Sequence, residues 1–484
     1  MTDLPALSDL PALSDLVDGT RSAPTVDLGS WLEDPNTGQR SQPMQGTDEA
    51  TLRRAVAAAQ RVHESRAWSS LPPKERADWL DRYADALAPR CEEVARRESL
   101  TTGAPINQTA MLSFIVHAAF RLVAQELRSG LLRRSYDGPA GEVEVHRLAL
   151  GPALALVPWN APAPMAAHKV ASALGAGCPV ILKPSEFAPH GSGALADAAE
   201  EIGLPAGVFQ LVHGDVRAGA QLVDDLRIRA VSFTGGLAGG RAIAAASVGT
   251  LRPVQLELGG CNALVVMPDA DLDQVAGAVV GLLTTLNGQW CRSLGRLVVP
   301  AELHDELLDR ILARLAEVRM GHSLSVDSQM GPIVHSGHLR HLQDRVTSLG
   351  GKAHCSTVLP ELGGNFLAPT LVTGVAPEDA TEEIFGPVAT VHPVVDLAEA
   401  IAVANGTPYG LEGYVVGTDV DAAMAVARQI RAGGVKVNGV SPLSLHLMAP
   451  RPAWGLSGLG TEGTAETITF FTGERVVGVE GFSA

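Results

Sequence analysis

Leu154-Ala-Leu-Val157-Pro-Trp-Asn160-Ala-Pro-Ala-Pro-Met165-Ala-Ala-His-Lys169-Val-Ala-Ser-Ala-Leu-Gly175-Ala-Gly-Cys-Pro179-Val-Ile-Leu182 reads as strand, helix, strand. Leu154–Val157 and Pro179–Leu182 are short apolar runs bounded by proline or glycine, and Met165–Gly175 between them is long enough for a helix. The uncharged window from Leu148 to Ala167 is about long enough to cross a bilayer. However, Pro152, Pro158, Pro162, Pro164 and Asn160 interrupt it, so a buried strand and loop is the better reading. The same alternation continues outward, with strands at Val208–Val212 and Ala230–Phe233 and helices at Ser192–Ile202 and Ala218–Asp225. Strands alternating with helices imply a parallel sheet with crossovers. A second series begins near Asn262, with strands at Ala263–Met267, Leu297–Val299, Ala389–Val395 and Val435–Asn438. Upstream, 48–133 is helical in pattern. Arg133–Tyr136 and Glu142–Leu148 alternate around Asp137-Gly-Pro-Ala-Gly141, a hairpin signal.

The expected class is therefore α/β, with two α/β domains and a protruding hairpin. At 484 residues the chain exceeds one small core. Residues 1–20 contain Leu-Pro-Ala-Leu-Ser-Asp twice and are expected to form a flexible tail. The net charge of −16 argues against nucleic acid or an anionic membrane as partner. The five cysteines, Cys91, Cys178, Cys261, Cys291 and Cys355, are scattered and include no C-x-x-C pair, which suits a reducing cytosol. No zinc-ligand spacing is present, so no metal is expected. No cationic start precedes an apolar run, so no secretory signal is expected.

Two short motifs carry the chemistry. Leu286-Asn-Gly-Gln-Trp-Cys291-Arg-Ser-Leu-Gly-Arg296 sets a cysteine among turn-prone residues, and Leu256-Glu-Leu-Gly-Gly260 sets a glutamate before a glycine pair. A thiolate is nucleophilic where a thiol is not, and a carboxylate can be its base. Pro158-Trp-Asn160, Lys183-Pro-Ser-Glu186 and Phe233-Thr-Gly-Gly236 each follow a strand, where α/β sheets bind ligands.

In order and spacing, these segments resemble the NAD(P)-dependent aldehyde dehydrogenases. So do Gly203-Leu-Pro-Ala-Gly-Val208, Gln329-Met-Gly-Pro332, Glu382-Glu-Ile-Phe-Gly-Pro-Val388 and Phe470-Phe-Thr-Gly-Glu-Arg-Val-Val477. The resemblance spans nearly the whole chain. It implies a Rossmann-type NAD-binding domain over 21–132 and 150–257, a catalytic domain over 258–465, and an oligomerisation element from 133–149 and 466–484. It implies Cys291 as nucleophile, Glu257 as base, and Asn160 with the Cys291 backbone N–H as oxyanion donors, with Lys169 supporting the site. Val157, Pro158, Trp159, Lys183, Ser185, Glu186, Gly214, Phe233, Thr234, Gly235, Gly236, Leu258, Glu383 and Phe385 are the implied cofactor residues. A carboxylate at Glu186 resists a 2′-phosphate, so NAD is favoured, with NADP possible.

The expected product is a carboxylic acid, formed through a cysteine thiohemiacetal and a thioester. A CoA-acylating relative would usually lack the base, and a catalytically silent one would lack the triad of Cys291, Glu257 and Asn160. Where the family commonly has serine this chain has Gly236, and the segment Ala453–Gly458 is shortened. Ala161, Met165, His168, Trp290, Arg292 and His446 are the expected pocket residues. They suggest a hydrophobic aldehyde: aromatic, terpenoid or medium-chain. Arg292 either anchors a substrate carboxylate, as in semialdehyde oxidation, or pairs with a surface acid. Family members associate as dimers or tetramers, so a cytoplasmic homo-oligomer is expected, with no nucleic acid or membrane partner.

Overall fold

In the computed structural model, which describes residues 4–480, the opening unit forms as read: strand Ala153–Leu156, helix Pro162–Ala176, strand Val180–Lys183. Pro162 starts the helix where a missing N–H costs nothing, and Gly177 ends it at φ +94°, a conformation that suits glycine. Every residue of this helix except Met165 is buried. Small side chains make that possible: a Cβ added at Gly175 would lie 2.5 Å from Val123 of the neighbouring helix Ile106–Arg128.

The first sheet runs Thr20–Ser22, Asp15–Val17, Phe209–Leu211, Val180–Lys183, Ala153–Leu156, Ala230–Thr234, Val254–Glu257, Gly458–Leu459. Its five central strands are parallel. Ala153–Leu156 lies in their middle, so the chain winds first to one side of it and then to the other. That reversal opens a crevice at the strands' C-terminal ends. The second sheet runs Lys352–His354, Thr370–Thr373, Val388–Val394, Leu294–Pro300, Asn262–Val266, Glu412–Val416, Gly434–Val437. It is parallel except for its first strand. Residues 257–262 carry the chain from the C-terminal end of one sheet straight to the N-terminal edge of the next. The crevice of the first sheet therefore faces the loops entering the second.

Two boundaries differ from expectation. The N-terminal segment is not a loose tail over its described part. Leu16 pairs with Leu211, Leu16 and Val17 are buried, and Leu7 and Leu10 pack with Leu32, Met44 and Leu100. A three-residue strand is too short to show periodicity, but burying its apolar residues offsets the entropy of docking. Met1–Asp3 lie outside the described residues. The catalytic domain does not extend to residue 465 either. Gly458–Leu459 returns to the first sheet, with Gly458 opposite Glu257, and helix Thr464–Phe470 packs against Pro162–Ala176.

Arg133–Gly138 and Gly141–Ala149 form the expected hairpin, and Thr472–Gly478 adds a third strand along Gly141–Ala149. Residues 481–484 lie outside the described part. Helix Ile106–Arg128 is long and apolar enough to cross a bilayer, but Val116, Phe120 and Val123 are core residues packed under Pro73–Leu87.

Candidate active site

Helix Leu272–Thr284 runs into a tight turn, Thr285–Gly288, in which Leu286, Asn287 and Gly288 all have positive φ (47°, 60° and 71°). Such a backbone is strained at the two non-glycine residues, so the surroundings must fix it. The Leu286 N–H donates to Gln108 at 2.5 Å. The Asn287 amide donates to the carbonyls of Gly103 and Pro332, each at 2.9 Å, and accepts from the Gly331 N–H at 2.7 Å. Gln289 accepts from the Val334 N–H at 3.0 Å. Gly288 admits no side chain, since a Cβ would lie 2.4 Å from the Pro387 nitrogen.

The turn delivers Cys291, half-buried, just ahead of strand Leu294–Pro300. Asn262, which the motif reading passed over, clamps this loop. Its amide donates to the Cys291 carbonyl at 2.9 Å and the Ser293 carbonyl at 2.8 Å, and its oxygen accepts from the Glu412 N–H at 3.1 Å. The Tyr414 hydroxyl donates to the Arg292 carbonyl at 2.8 Å. Burial pushes the Cys291 thiol up to about 12; Arg292 opposes that rise, and Glu257, Glu383 and Glu412 add to it. Desolvation is the larger cause, and the three carboxylates add to it.

Glu257 ends its strand facing this loop. Burial, reinforced by Glu462, pushes its carboxyl up to about 8, against Arg292, Lys169 and Arg451. Lys169 is fully buried and donates to Glu462 at 2.7 Å and Ser232 at 2.8 Å. Burial would raise Glu462, but Lys169, His168 and Arg451 outweigh it and hold this carboxylate low. Asn160 lies half-buried between the strand Ala153–Leu156 and the helix Pro162–Ala176. Among the described residues its side-chain amide has no hydrogen-bond partner in the protein, which leaves it available to a ligand.

The crevice assembles the remaining expected residues. Lys183 donates to the carbonyls of Gly214 (2.5 Å) and Pro184 (3.0 Å), which leaves one of its three N–H groups free. Glu186 is half-buried beside Ser185. Val157 is held at the Lys183 carbonyl (3.3 Å), Gly235 donates to the Glu257 carbonyl (3.0 Å), and Leu258 to the Ser457 carbonyl (2.7 Å). Helix Leu237–Val248 begins at Gly236 with no side-chain cap, and a Cβ there would meet nothing within 4 Å. Its first N–H groups are thus free to meet an anion. The Phe233 ring folds beside it, 3.0 Å from a Cβ built on Gly239, and Thr234 has a buried hydroxyl without a partner. Glu383 accepts from the Gly260 N–H at 3.0 Å and is pushed up to about 7 by burial. Trp159 meets Phe385 edge-on at 5.3 Å and His338 at 5.5 Å, and His338 bonds the Phe385 carbonyl. His338 carries no motif and was not expected here.

The expected pocket residues divide. Ala161 and Met165 are half-buried near Asn160. Trp290 is buried in the catalytic-domain core, with Leu264 and Leu282. His168 is buried against Thr467 at 3.1 Å, and burial drives its pKa down to about 3, so it is a neutral wall residue. His446 is exposed on the loop 439–450. Arg292 meets Glu412 at 3.0 Å, and that acid is buried, not on the surface. The short segment near 453–458 is tied down by pairing of Trp454–Gly455 with Tyr409–Gly410.

The model of the aldehyde dehydrogenase family matches residues 31–477. A geranial dehydrogenase of Castellaniella defragrans is 36% identical over 91% of this chain and 95% of its own. A glutarate-semialdehyde dehydrogenase of Pseudomonas aeruginosa is 33% identical over 90% of each. Among solved structures, an NAD-dependent aldehyde dehydrogenase of Sinorhizobium meliloti superimposes with a TM-score of 0.93 at 30% identity, covering 100% of this chain and 98% of that one. A betaine aldehyde dehydrogenase of Staphylococcus aureus in complex with NAD+ gives 0.90 at 25% identity, with 99% and 98% covered. The strand order, the strained cysteine loop and these similarities agree that the chain is an enzyme of the aldehyde dehydrogenase family.

Proposed function

We propose that this enzyme oxidises an aldehyde to the carboxylic acid with NAD. The observation that carries the reading is the convergence of the clamped Cys291 loop with the strand end that bears Glu257. The Cys291 sulfur attacks the aldehyde carbon, and its proton passes to Glu257, whose raised pKa suits it to receive one. The oxyanion accepts from the free Asn160 amide and the Cys291 backbone N–H. NAD, when bound, supplies the hydride acceptor that turns the thiohemiacetal into a thioester. Once it has passed that proton on to solvent, Glu257 takes one from the water that hydrolyses the thioester. Buried Glu462 and Lys169 stand behind it as the next proton-bearing groups.

The crevice fits the dinucleotide. The uncapped helix start at Gly236 suits a pyrophosphate, and the spare Lys183 N–H with Glu186 suits ribose hydroxyls. Glu186 disfavours a 2′-phosphate, so NAD stands before NADP. Similarity to a geranial dehydrogenase and the apolar side chains Leu443, Leu445 and Leu447 on the loop 439–450 favour a hydrophobic aldehyde: terpenoid, aromatic or medium-chain. A semialdehyde is the second reading, supported by similarity to a glutarate-semialdehyde dehydrogenase and by Arg292 beside the nucleophile. The three-stranded sheet with exposed Tyr136, Val476 and Val477 supports a homodimer or homotetramer, and elution as a monomer would sink that reading. The five free cysteines suit a reducing cytoplasm.

The test is NADH formation over aromatic, terpenoid, aliphatic and carboxylate-bearing aldehydes, with NADP in parallel. Turnover that disappears in Cys291→Ala supports the reading, and turnover that survives overturns it.

A further inference from the structure

Strand Gly434–Val437 leads out of the second sheet into residues 439–450, a segment with no helix or strand. Asn438 makes the exit at φ +53°, its side-chain amide exchanging hydrogen bonds with the Gly417 backbone at 2.9 and 3.0 Å. The segment leaves on the Cys291 side, where Val440 packs on the cluster that contains Leu286 and Trp290. It returns on the Glu257 side. There Arg451–Pro452 pairs with Thr461–Glu462, and the Arg451 Nη2 stands 3.4 Å from the His168 Nε2. Between these ends Leu443, Leu445 and Leu447 are exposed, and no side chain of 439–450 is an acid, lysine or arginine. A loop with so little packing opens easily unless something else holds it.

Lys436 supplies the hold. Its side chain is 4% exposed, and its Nζ donates to the carbonyls of Ser441 (2.7 Å) and Leu443 (3.0 Å). Among the described residues, these are the only hydrogen bonds that join 439–450 to the rest of the protein. The others are local: the Leu443 N–H to Ser441, and the Met448 and Ala449 N–H groups to His446. A buried ammonium is costly unless its charge is also met. The Glu412 carboxylate, 6% exposed, stands 3.9 Å from the Lys436 Nζ and 3.0 Å from the Arg292 Nε. The Glu412 N–H donates to Asn262, whose amide donates to the Cys291 carbonyl. A continuous series of contacts thus runs from the nucleophile loop to 439–450.

We propose that Lys436 is a positioning residue: seated on Glu412, it tethers 439–450 as a wall of the aldehyde pocket and keeps that wall in register with the Cys291 loop. The proposal rests on the reading of Cys291 as the nucleophile of an aldehyde oxidation. Lys436→Met removes both bonds to the loop while leaving Glu412 paired with Arg292.

The test has two readouts, one of them independent of turnover. Limited chymotrypsin digestion, with the cut sites located by mass spectrometry, follows cleavage after Leu443, Leu445 and Leu447. Cleavage after exposed Leu362, in a distant irregular segment, is the internal reference. A hydrogen bond from a charged donor is worth about tenfold or more in an opening equilibrium. Cleavage in 439–450 is therefore expected to be at least about tenfold faster in Lys436→Met, with the Leu362 site unchanged. The KM for the best aldehyde of the panel should rise about tenfold, kcat should move by less, and the KM for NAD should stay in place. Lys436→Arg, which keeps charge and donors, should recover most of both effects. Unchanged cleavage in the Met variant overturns the proposal, as does faster cleavage with an unchanged aldehyde KM. A KM for NAD that rises in step with that for the aldehyde would mark a merely structural role and overturn it too. Should Lys436→Met fail to fold, Lys436→Gln takes its place under the same criteria. Absence of turnover with any aldehyde in the native enzyme would refute the proposed function, and the cleavage rates would then decide by themselves whether the tether exists.

Discussion

Asn262 offers the sharpest test of how the Cys291 loop is held. Asn262→Ala removes two donated hydrogen bonds, to the Cys291 and Ser293 carbonyls, and one accepted from the Glu412 N–H, at 2.9, 2.8 and 3.1 Å. The side chain is 2% exposed, so its partners are left in largely dry surroundings. At about 1 kcal/mol net for each neutral hydrogen bond, the loss comes to about 3 kcal/mol. Urea denaturation compares that cost between variant and native enzyme. Once released, the loop relaxes from its strained turn, and displacing a nucleophile by about an ångström costs on the order of 100-fold in rate. A kcat lowered ten- to a hundredfold is therefore expected. Asn262→Asp is the control. It keeps the size and the acceptor for Glu412, but turns a carboxylate oxygen toward two carbonyls, so its kcat should fall below that of the Ala variant. An Ala variant with an unchanged urea midpoint and kcat within twofold of native, or an Asp variant better than Ala, would refute the clamp.

Other expectations follow from the site. Glu257 acts as a base only when ionised, and its pKa is raised to about 8. Turnover limited by thioester hydrolysis should thus climb with pH toward about 8 and level off above it, and a profile flat from pH 6 to 9 would contradict this. Glu257→Gln should lower turnover about 10²- to 10⁴-fold, measured as steady-state NADH formation. Gly236→Ser places a hydroxyl in open space at an uncapped helix start; we expect a few-fold lower KM for NAD, and a raised KM would show that the added group obstructs the dinucleotide. Lys169→Met leaves Glu462 buried with Arg451 only at 3.7 Å, so a loss of about 3–5 kcal/mol is expected by chemical denaturation.

The parallel sheets and the motifs of the candidate site were legible because they depend on local signals. Leu154–Val157 and Pro179–Leu182 are apolar runs with proline or glycine at their ends, and Cys291 and Glu257 lie in motifs whose order is specific. What escaped notice depends on contacts distant in sequence. Nothing near Asn262 reveals that it meets carbonyls 29 and 31 residues later. Glu412 and Lys436 look like ordinary charged residues until two parallel strands turn them under the cysteine. Asp15–Val17 is too short to show periodicity and starts at the last residue of a repeat that resembles a tail. The rise of the Cys291 thiol was hidden for a related reason: it comes first from burial and then from charged groups distant in sequence, which no local pattern states.

The pairing of Gly458 with Glu257 also has a meaning in time. The strand that carries Glu257 is made first, yet its outer neighbour arrives about 200 residues later, together with Glu462, the partner of Lys169. At synthesis rates of roughly 5–20 residues per second, a nascent chain waits on the order of 10–40 seconds between making Glu257 and enclosing it. A prematurely ended chain would carry both cysteine and glutamate but not the environment that sets their protonation. The surroundings of both side chains are thus complete only when translation is nearly so.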